Sequence, residues 1–223
     1  MALAPAEAAG GALIAERAYL ELRDRIVTLR LAPGTVLRED ELMAELGIGR
    51  TPLREAVKRL ALENLLAVQP RRGTYVTDVD TAEIIHITEV RAELEGYAAE
   101  LATRRMDAAA RAAATSLLEQ VRRLGRGDDQ EALMRLDERI HGFIWDAAGN
   151  PYLGATLERY FSLSLRIWYV VLDRVPGLGH SVHDQADLLE ALVDRDAQRA
   201  RTLMREHVLQ FQREILAAFS RRS

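Results

Sequence analysis

The sequence predicts a mainly α protein in two parts, an N-terminal winged helix-turn-helix with a small β-hairpin wing and a C-terminal all-α helical bundle. Three observations predict it. Around the tight turn Gly47-Ile48-Gly49, two short segments carry apolar stripes at helical spacing. Directly after them, Leu66 to Gln69 and Thr74 to Val79 read as short strands joined by Pro70-Arg71-Arg72-Gly73. Beyond Asp78 strand signals vanish, and helical periodicity runs to the C-terminus. The expected domains are 12–78 and 80–221.

Composition narrows the chemistry. A chain of 223 residues, 48% hydrophobic, can bury a real core. No cysteine is present, which excludes disulfides, thiolate catalysis and Cys-based zinc fingers and leaves His and carboxylates as metal ligands. No apolar run approaches the roughly 18 residues of a membrane span. The N-terminus lacks the basic start and apolar block of a signal peptide, so a cytoplasmic address and no membrane partner are expected. Formal net charge is −4, yet between Arg50 and Arg72 six basic residues (Arg50, Arg54, Lys58, Arg59, Arg71, Arg72) face two acidic ones, Glu55 and Glu63. A basic island in an acidic chain points to a polyanion contacted at one place.

In the first domain, Ile14, Ala18, Leu22, Ile26 and Leu29 form one face of a helix over 14–30, and Pro33-Gly34 stops it. A second, two-turn helix begins near Glu39, with Leu42, Met43 and Leu46 as its stripe. After the 47–49 turn, Pro52 falls in the first turn of the next helix, where its missing N–H costs nothing. Leu53, Val57, Leu60 and Leu65 hold that helix to the core, which turns Arg50, Thr51, Arg54 and Lys58 toward solvent. Its N-terminus offers unpaired N–H groups and a positive dipole end to a phosphate. Arg54 can present a two-pronged donor to guanine, the commonest specific major-groove contact. Arg71 and Arg72 suit a wing lying over the DNA backbone, although alone they also read as solvated turn residues.

The second domain reads as six helices, over 81–105, 107–124, 129–148, 151–173, 181–194 and 196–220, with a glycine-rich loop at 176–180. In the third of these Leu133, Leu136, Ile140, Phe143, Ile144 and Ala147 mark the buried side, and Asp137 and His141, four apart, fall within it. A buried carboxylate needs a cationic or donating partner. The plain alternative is a structural Asp–His hydrogen bond. His207 lies on the inward side of the last helix, so Asp137, His141 and His207 are placed to converge. Arg91 and Arg166 sit among apolar neighbours, where a guanidinium without an internal partner grips a carboxylate. For Arg91 the alternative is a surface ion pair with Glu95. Tyr152, Trp168 and Tyr169 are candidate pocket walls or plain core.

The run LAPGTVLREDELMAELGIGRTPLREAVKRLALENLLAVQPRRGTYV resembles the DNA-binding domain of the GntR family of bacterial transcription regulators. That resemblance places Arg50, Thr51, Arg54, Arg72 and Gly73 at the DNA, with Arg38 a weaker candidate, and departs at Gly49, where the family commonly has Ser or Thr. VRAELEGYAAELA, the D-x-x-x-H segment ending in AAGNPYL, and the closing A-x-x-x-M-x-x-H resemble the FCD-type ligand-binding domain of the FadR-like branch, in its shorter, six-helix VanR-like version. Many such domains hold a divalent metal, zinc or nickel, on an Asp and three His beside a pocket for a small carboxylic acid. The third His register is occupied here by Gln185, a poorer ligand for transition metals. His183 lies two residues earlier, on another helix face, and His180 falls in the loop. Asp137, His141, His207 and water are the remaining set.

The expected function is a ligand-responsive transcription regulator, a repressor by resemblance. It would bind a palindromic double-stranded DNA operator as a homodimer, with a small carboxylic acid as effector. The rivals are a His/carboxylate metal-dependent hydrolase with a tethering winged-helix domain, and a protein-interaction adaptor. Against the hydrolase, the chain has no H-E-x-x-H and no activated nucleophile arrangement. The adaptor leaves the intact RTPLREAV unexplained.

Overall fold

In the computed structural model of the chain, residues 5–80, 82–124, 129–171 and 184–220 are described, apart from the side chains of 5–11 and 218–220. The 176–180 loop, the expected helix start at 181, His180 and His183 lie outside the described residues. Two compact units are formed: Met1–Asp80 with Leu165–Val170, and Thr81–Ser164 with Val171–Ser223. Among the described residues, no helix is long and apolar enough to cross a membrane.

The first unit contains α1 (Pro5–Val27), α2 (Glu39–Leu46), α3 (Arg50–Leu62), β1 (Leu66–Gln69) and β2 (Gly73–Val76). Helix α1 starts well before 14, because the Ala-rich stretch favours helix without carrying an apolar stripe and Pro5 fits a first helical position. It also ends before 30. Leu29 takes a left-handed φ of +60°, and the Leu31 N–H returns to the Arg25 carbonyl at 2.8 Å. Helix α2 closes on Gly47 at φ +63°, a conformation that glycine adopts without steric cost, and its N–H reaches the Met43 carbonyl. The core of this unit is Tyr19, Leu22, Ile26, Leu53, Leu60 and Leu65, all essentially without solvent contact, where α1 packs on α3.

The wing is an antiparallel hairpin in the register Leu66–Val76, Ala67–Tyr75, Val68–Thr74, Gln69–Gly73. Its second strand ends at Val76 rather than 79, since Thr77 turns back to bond the Leu65 and Asn64 carbonyls. Sequence pattern did not reveal a third participant: Val36 bridges Tyr75, with Leu37 N–H on the Thr74 carbonyl and Val76 N–H on the Thr35 carbonyl.

The second unit is helical: α4 (Glu83–Arg105), α5 (Ala108–Arg122), α6 (Gln130–Ala147), α7 (Pro151–Val171), α8 (Gln185–Val193) and α9 (Ala197–Ser220). Residues 165–170 of α7 group with the first unit. Helix α9 lies along α4, α6 also packs on α4, and α5 packs on α8. Gly96 permits the α4–α9 approach, since a Cβ there would stand 3.1 Å from the Arg201 carbonyl oxygen. The buried face of α6 is Leu133, Met134, Leu136, Asp137, Ile140, His141, Ile144 and Trp145. Phe143 and Ala147, expected inside, are partly exposed, because the inward stripe swings to Met134 and Trp145.

Candidate functional site

Two groups of residues stand out, one in each unit. On α3, Leu53, Ala56, Val57 and Leu60 face the core, which leaves Arg50, Thr51, Arg54 and Lys58 exposed along the opposite side at spacings near one helical turn. Gly49 is the N-cap, extended at φ −81° and ψ 173°, and provides no side-chain cap. The first α3 amides therefore lack a side-chain acceptor of the usual kind.

The arginines are not idle. Arg54 pairs with Glu39 at 3.4 Å, Arg50 with Asp40 at 3.2 Å and Arg38 with Glu41 at 3.0 Å. All three pairs join α3 or the α2 cap to the acidic first turn of α2, and all are solvent-exposed, a setting worth about 0–1 kcal/mol each. Such pairs hold the guanidinium groups in place and yield them to a stronger anion. At the wing tip Arg71, Arg72 and Gly73 are exposed. The Arg72 N–H bonds the Gln69 carbonyl at 3.1 Å, and Arg71 sits at φ +64°. The first unit thus contains every residue expected at DNA, all of them at its surface.

The second group is buried. Asp137 and His141 of α6, Gln185 at the start of α8 and His207 of α9 are each less than a tenth exposed. The Nε2 atoms of His141 and His207 stand 3.2 Å apart, and Asp137 Oδ1 lies 3.4 Å from His207 Nε2 and 3.8 Å from His141 Nε2. The Gln185 amide donates to Asp137 Oδ1 at 2.5 Å and stands 3.2 Å from His207 Nε2. Convergence of the Asp, the two His and Gln185 follows the expected register.

Behind them lies a layer that sequence reasoning missed. Glu95 of α4, wholly buried, accepts from Arg91 Nη2 at 2.8 Å, from Trp145 Nε1 at 2.8 Å and from His141 Nδ1 at 3.0 Å. The Arg91–Glu95 pair, read from sequence as a surface alternative, is therefore an interior ion pair, and Arg91 has an internal partner. Its guanidinium also lies over the Phe161 ring at 4.9 Å, and Phe161 in turn packs against His141 and Trp145. An i,i+4 Arg–Glu pair looks the same in sequence whether it faces water or core, so its spacing carried no sign of the long-range contacts to His141 and Trp145.

Charge in this cluster is balanced within it. Burial opposes ionisation of Glu95, but the His141 and Arg91 charges with the His141 and Trp145 hydrogen bonds outweigh it and hold the carboxyl at about 2. Burial likewise opposes charge on Asp137, where His141 and His207 prevail and lower it. For His141, burial is overcome by Glu95 and Asp137, which raise it.

The remaining sequence candidates fall elsewhere. Arg166 is buried in the 165–170 segment that groups with the first unit, where it donates to the Thr77 hydroxyl at 2.7 Å and to the Thr77 carbonyl. Burial lowers its pKa to about 10, and Asp78 partly offsets that. Tyr152 is 85% exposed and walls no pocket, because it occupies the outer side of the first α7 turn. Trp168 is fully buried and Tyr169 partly so.

A divalent cation would find a fitting set here. Asp137, His141 and His207 each offer a ligand atom, all within 4.8 Å of one another. Two imidazole nitrogens and a carboxylate oxygen are the donors that zinc or nickel takes. Gln185 Oε1 and His207 Nδ1 are buried without a hydrogen-bond partner, and a rotated Gln185 amide would bring an oxygen to the same point.

Comparison with known proteins agrees on both halves. Residues 14–76 match the family described as bacterial regulatory proteins, gntR family, and residues 86–210 match the FCD domain. A Streptomyces ambofaciens HTH-type transcriptional regulator in an unstable DNA locus is 31% identical over 191 residues, covering 85% of this chain and 80% of that protein. The Escherichia coli HTH-type transcriptional repressors GlaR and RspR are 30% and 26% identical, each covering 86% of this chain and 90% and 85% of their own. In fold, the chain is similar to Escherichia coli McbR/YncC, with a TM-score of 0.76 over 94% of this chain and 99% of that one at 23% identity. These relatives are regulators, not enzymes. A basic, exposed α3 with its wing and a helical second unit matching FCD together place the chain in the GntR family of bacterial transcription regulators.

Proposed function

We propose that this regulator is a repressor that binds a palindromic operator as a homodimer and is released by a small carboxylic acid taken up in the helical unit. The observation that supports this most is the exposed stripe Arg50, Thr51, Arg54 and Lys58 on α3, in a chain of net charge −4. That stripe enters the major groove, with Arg54 as the base-reading donor and Arg50, Lys58 and Arg38 on phosphates. Arg71, Arg72 and Gly73 follow the flanking backbone. The names of RspR and GlaR as repressors support the sign of regulation.

Effector binding belongs to Asp137, His141, Gln185 and His207, with Arg91 at its margin through Glu95. Asp137, His141 and His207 would hold a divalent metal, zinc or nickel, which when bound supplies the positive charge that draws a carboxylate. Gln185 contributes an amide that can donate or accept beside it. Arg166, engaged by Thr77, is left out of this set. Release follows if the acid binds the DNA-incompetent arrangement better than the competent one, which is a population shift.

The test is a titration of the protein against DNA from its own upstream region, followed by fluorescence anisotropy, with and without small organic acids. Wild-type protein binds specifically and loses affinity as the effective acid is added. Arg54→Ala loses specific binding by about 1–3 kcal/mol or more while its mass in solution stays unchanged. Specific binding retained by that variant would refute the α3 assignment.

A further inference from the structure

Glu95 is the only carboxylate among the described residues that meets Arg91, His141 and Trp145 together. The geometry is that of two helices presenting i,i+4 pairs to each other: Arg91 and Glu95 on α4, His141 and Trp145 on α6. One carboxylate oxygen, Oε1, takes the guanidinium, and the other, Oε2, takes both ring N–H groups. An ionised carboxylate only accepts hydrogen bonds, so the His141 nitrogen that faces it, Nδ1, must carry the proton. The opposite ring nitrogen, Nε2, is the atom that lies 3.2 Å from His207 Nε2 and 3.8 Å from Asp137 Oδ1.

We propose that Glu95 is the positioning residue of the Asp137–His141–His207 site, fixing His141 with its proton on Nδ1 and its Nε2 turned toward the other two ligands. This deepens the metal reading given above and rests on it for its consequence, though not for its geometry. Carboxylates bonded to the far nitrogen of a ligating imidazole hold the ring's orientation and raise its basicity, and their loss typically costs about 10–100-fold in metal affinity. Phe161, packed against His141 with ring centroids 4.9 Å apart and planes tilted by 47°, limits ring rotation but cannot choose which nitrogen is protonated. Glu95 makes that choice. The same pairing commits Arg91 to the interior, so that the guanidinium braces the carboxylate rather than reaching for an effector.

A buried carboxylate cannot be deleted beside a buried guanidinium without leaving an unpaired charge, so both partners are replaced together in Arg91→Met/Glu95→Leu, where apolar volume takes the place of the ion pair, and the reference is Arg91→Met, in which Glu95 keeps His141 and Trp145. The full chain is stripped with a chelator. Zinc affinity is then measured by competition with a chromophoric chelator, and proton occupancy and exchange at His141 Nδ1 by NMR on protein with 15N-labelled histidine. Compared with Arg91→Met alone, Arg91→Met/Glu95→Leu should bind zinc about 10–100-fold more weakly, and its Nδ1 proton should lose protection from exchange. Arg91→Met/Glu95→Gln, which restores an acceptor oxygen, should recover most of both. Unchanged zinc affinity and an unchanged Nδ1 proton in the Glu95→Leu background would overturn the proposal. If the wild-type chain takes up no zinc, the metal reading fails by itself, and the Nδ1 proton alone decides: lost with Glu95 it supports the positioning role, retained it refutes it. Should the Arg91→Met/Glu95→Leu variant not fold, as judged by its helical circular dichroism, Arg91→Met/Glu95→Met, close in shape to glutamate but without an acceptor oxygen, is read in the same two ways.

Discussion

At the tip of the wing, Pro70 and Arg71 occupy the central positions of a turn closed by the Arg72 N–H on the Gln69 carbonyl. Proline fixes its own φ near −65°, and Arg71 follows at +64°, so this is the type II pattern, whose third residue is normally Gly or Asn. A side chain in the left-handed region costs roughly 1–2 kcal/mol, and the chain carries an arginine there. Arg71→Gly should therefore raise the denaturant midpoint, by a net amount of about 0.5 kcal/mol once glycine's extra unfolded entropy is subtracted, while weakening DNA binding and reducing its salt slope by about 1. A variant both less stable and equally tight in binding DNA would contradict this. Single residues were legible in the sequence where their surroundings were local. Arg50, Arg54 and Lys58 are exposed because their neighbours on the same helix are apolar, and that is written in the spacing. Glu95 was not legible, since its burial is imposed by α6 and Phe161, residues far away in the chain.

Among the elements, α3 combines a clean apolar stripe with an N-cap that offers no side-chain acceptor. Its N-cap Gly49 has an ordinary extended conformation, and a Cβ there would meet nothing within 4 Å. Gly49→Ser should thus be accommodated without strain, bond an orphan N–H of the first turn and stabilise the protein by a few tenths of a kcal/mol, measured as a small rise in melting temperature. A fall would show that the cap position is constrained by something other than helix geometry. Helices with a clean stripe were readable to within a few residues. The start of α1 was not, because alanine promotes helix without marking a face, and the inward face of α6 was placed too far toward Phe143, because an aromatic residue suits either edge of an apolar stripe. The Val36 contribution to the wing was hidden for another reason: strand pairing between Val36 and Tyr75 is a long-range match, and a single bridge leaves no period to detect.

Across the whole molecule, a net charge of −4 coexists with a basic stripe and wing on the first unit, the stripe's arginines paired with the acidic first turn of α2. Steering toward DNA by such a patch depends on salt and gives the rest of the surface no reason to adhere to nucleic acid. The fold class was legible because strand and turn signals directly follow the helix-turn-helix and give way to helical periodicity beyond Asp78. The chemistry of the helical unit was half legible, with Asp137, His141 and His207 visible as a spaced set and their supporting layer hidden. Exposed on α3 is Lys58, and every other basic side chain among the 30 Lys and Arg is an arginine. The chain consequently carries a ready-made chemical reporter. An amine-acylating ester can modify one side chain only, besides the terminal amine, and the adduct is read by mass spectrometry of the peptide containing residue 58. Operator DNA should shield that amine and slow its acylation several-fold, whereas the terminal amine serves as an internal clock.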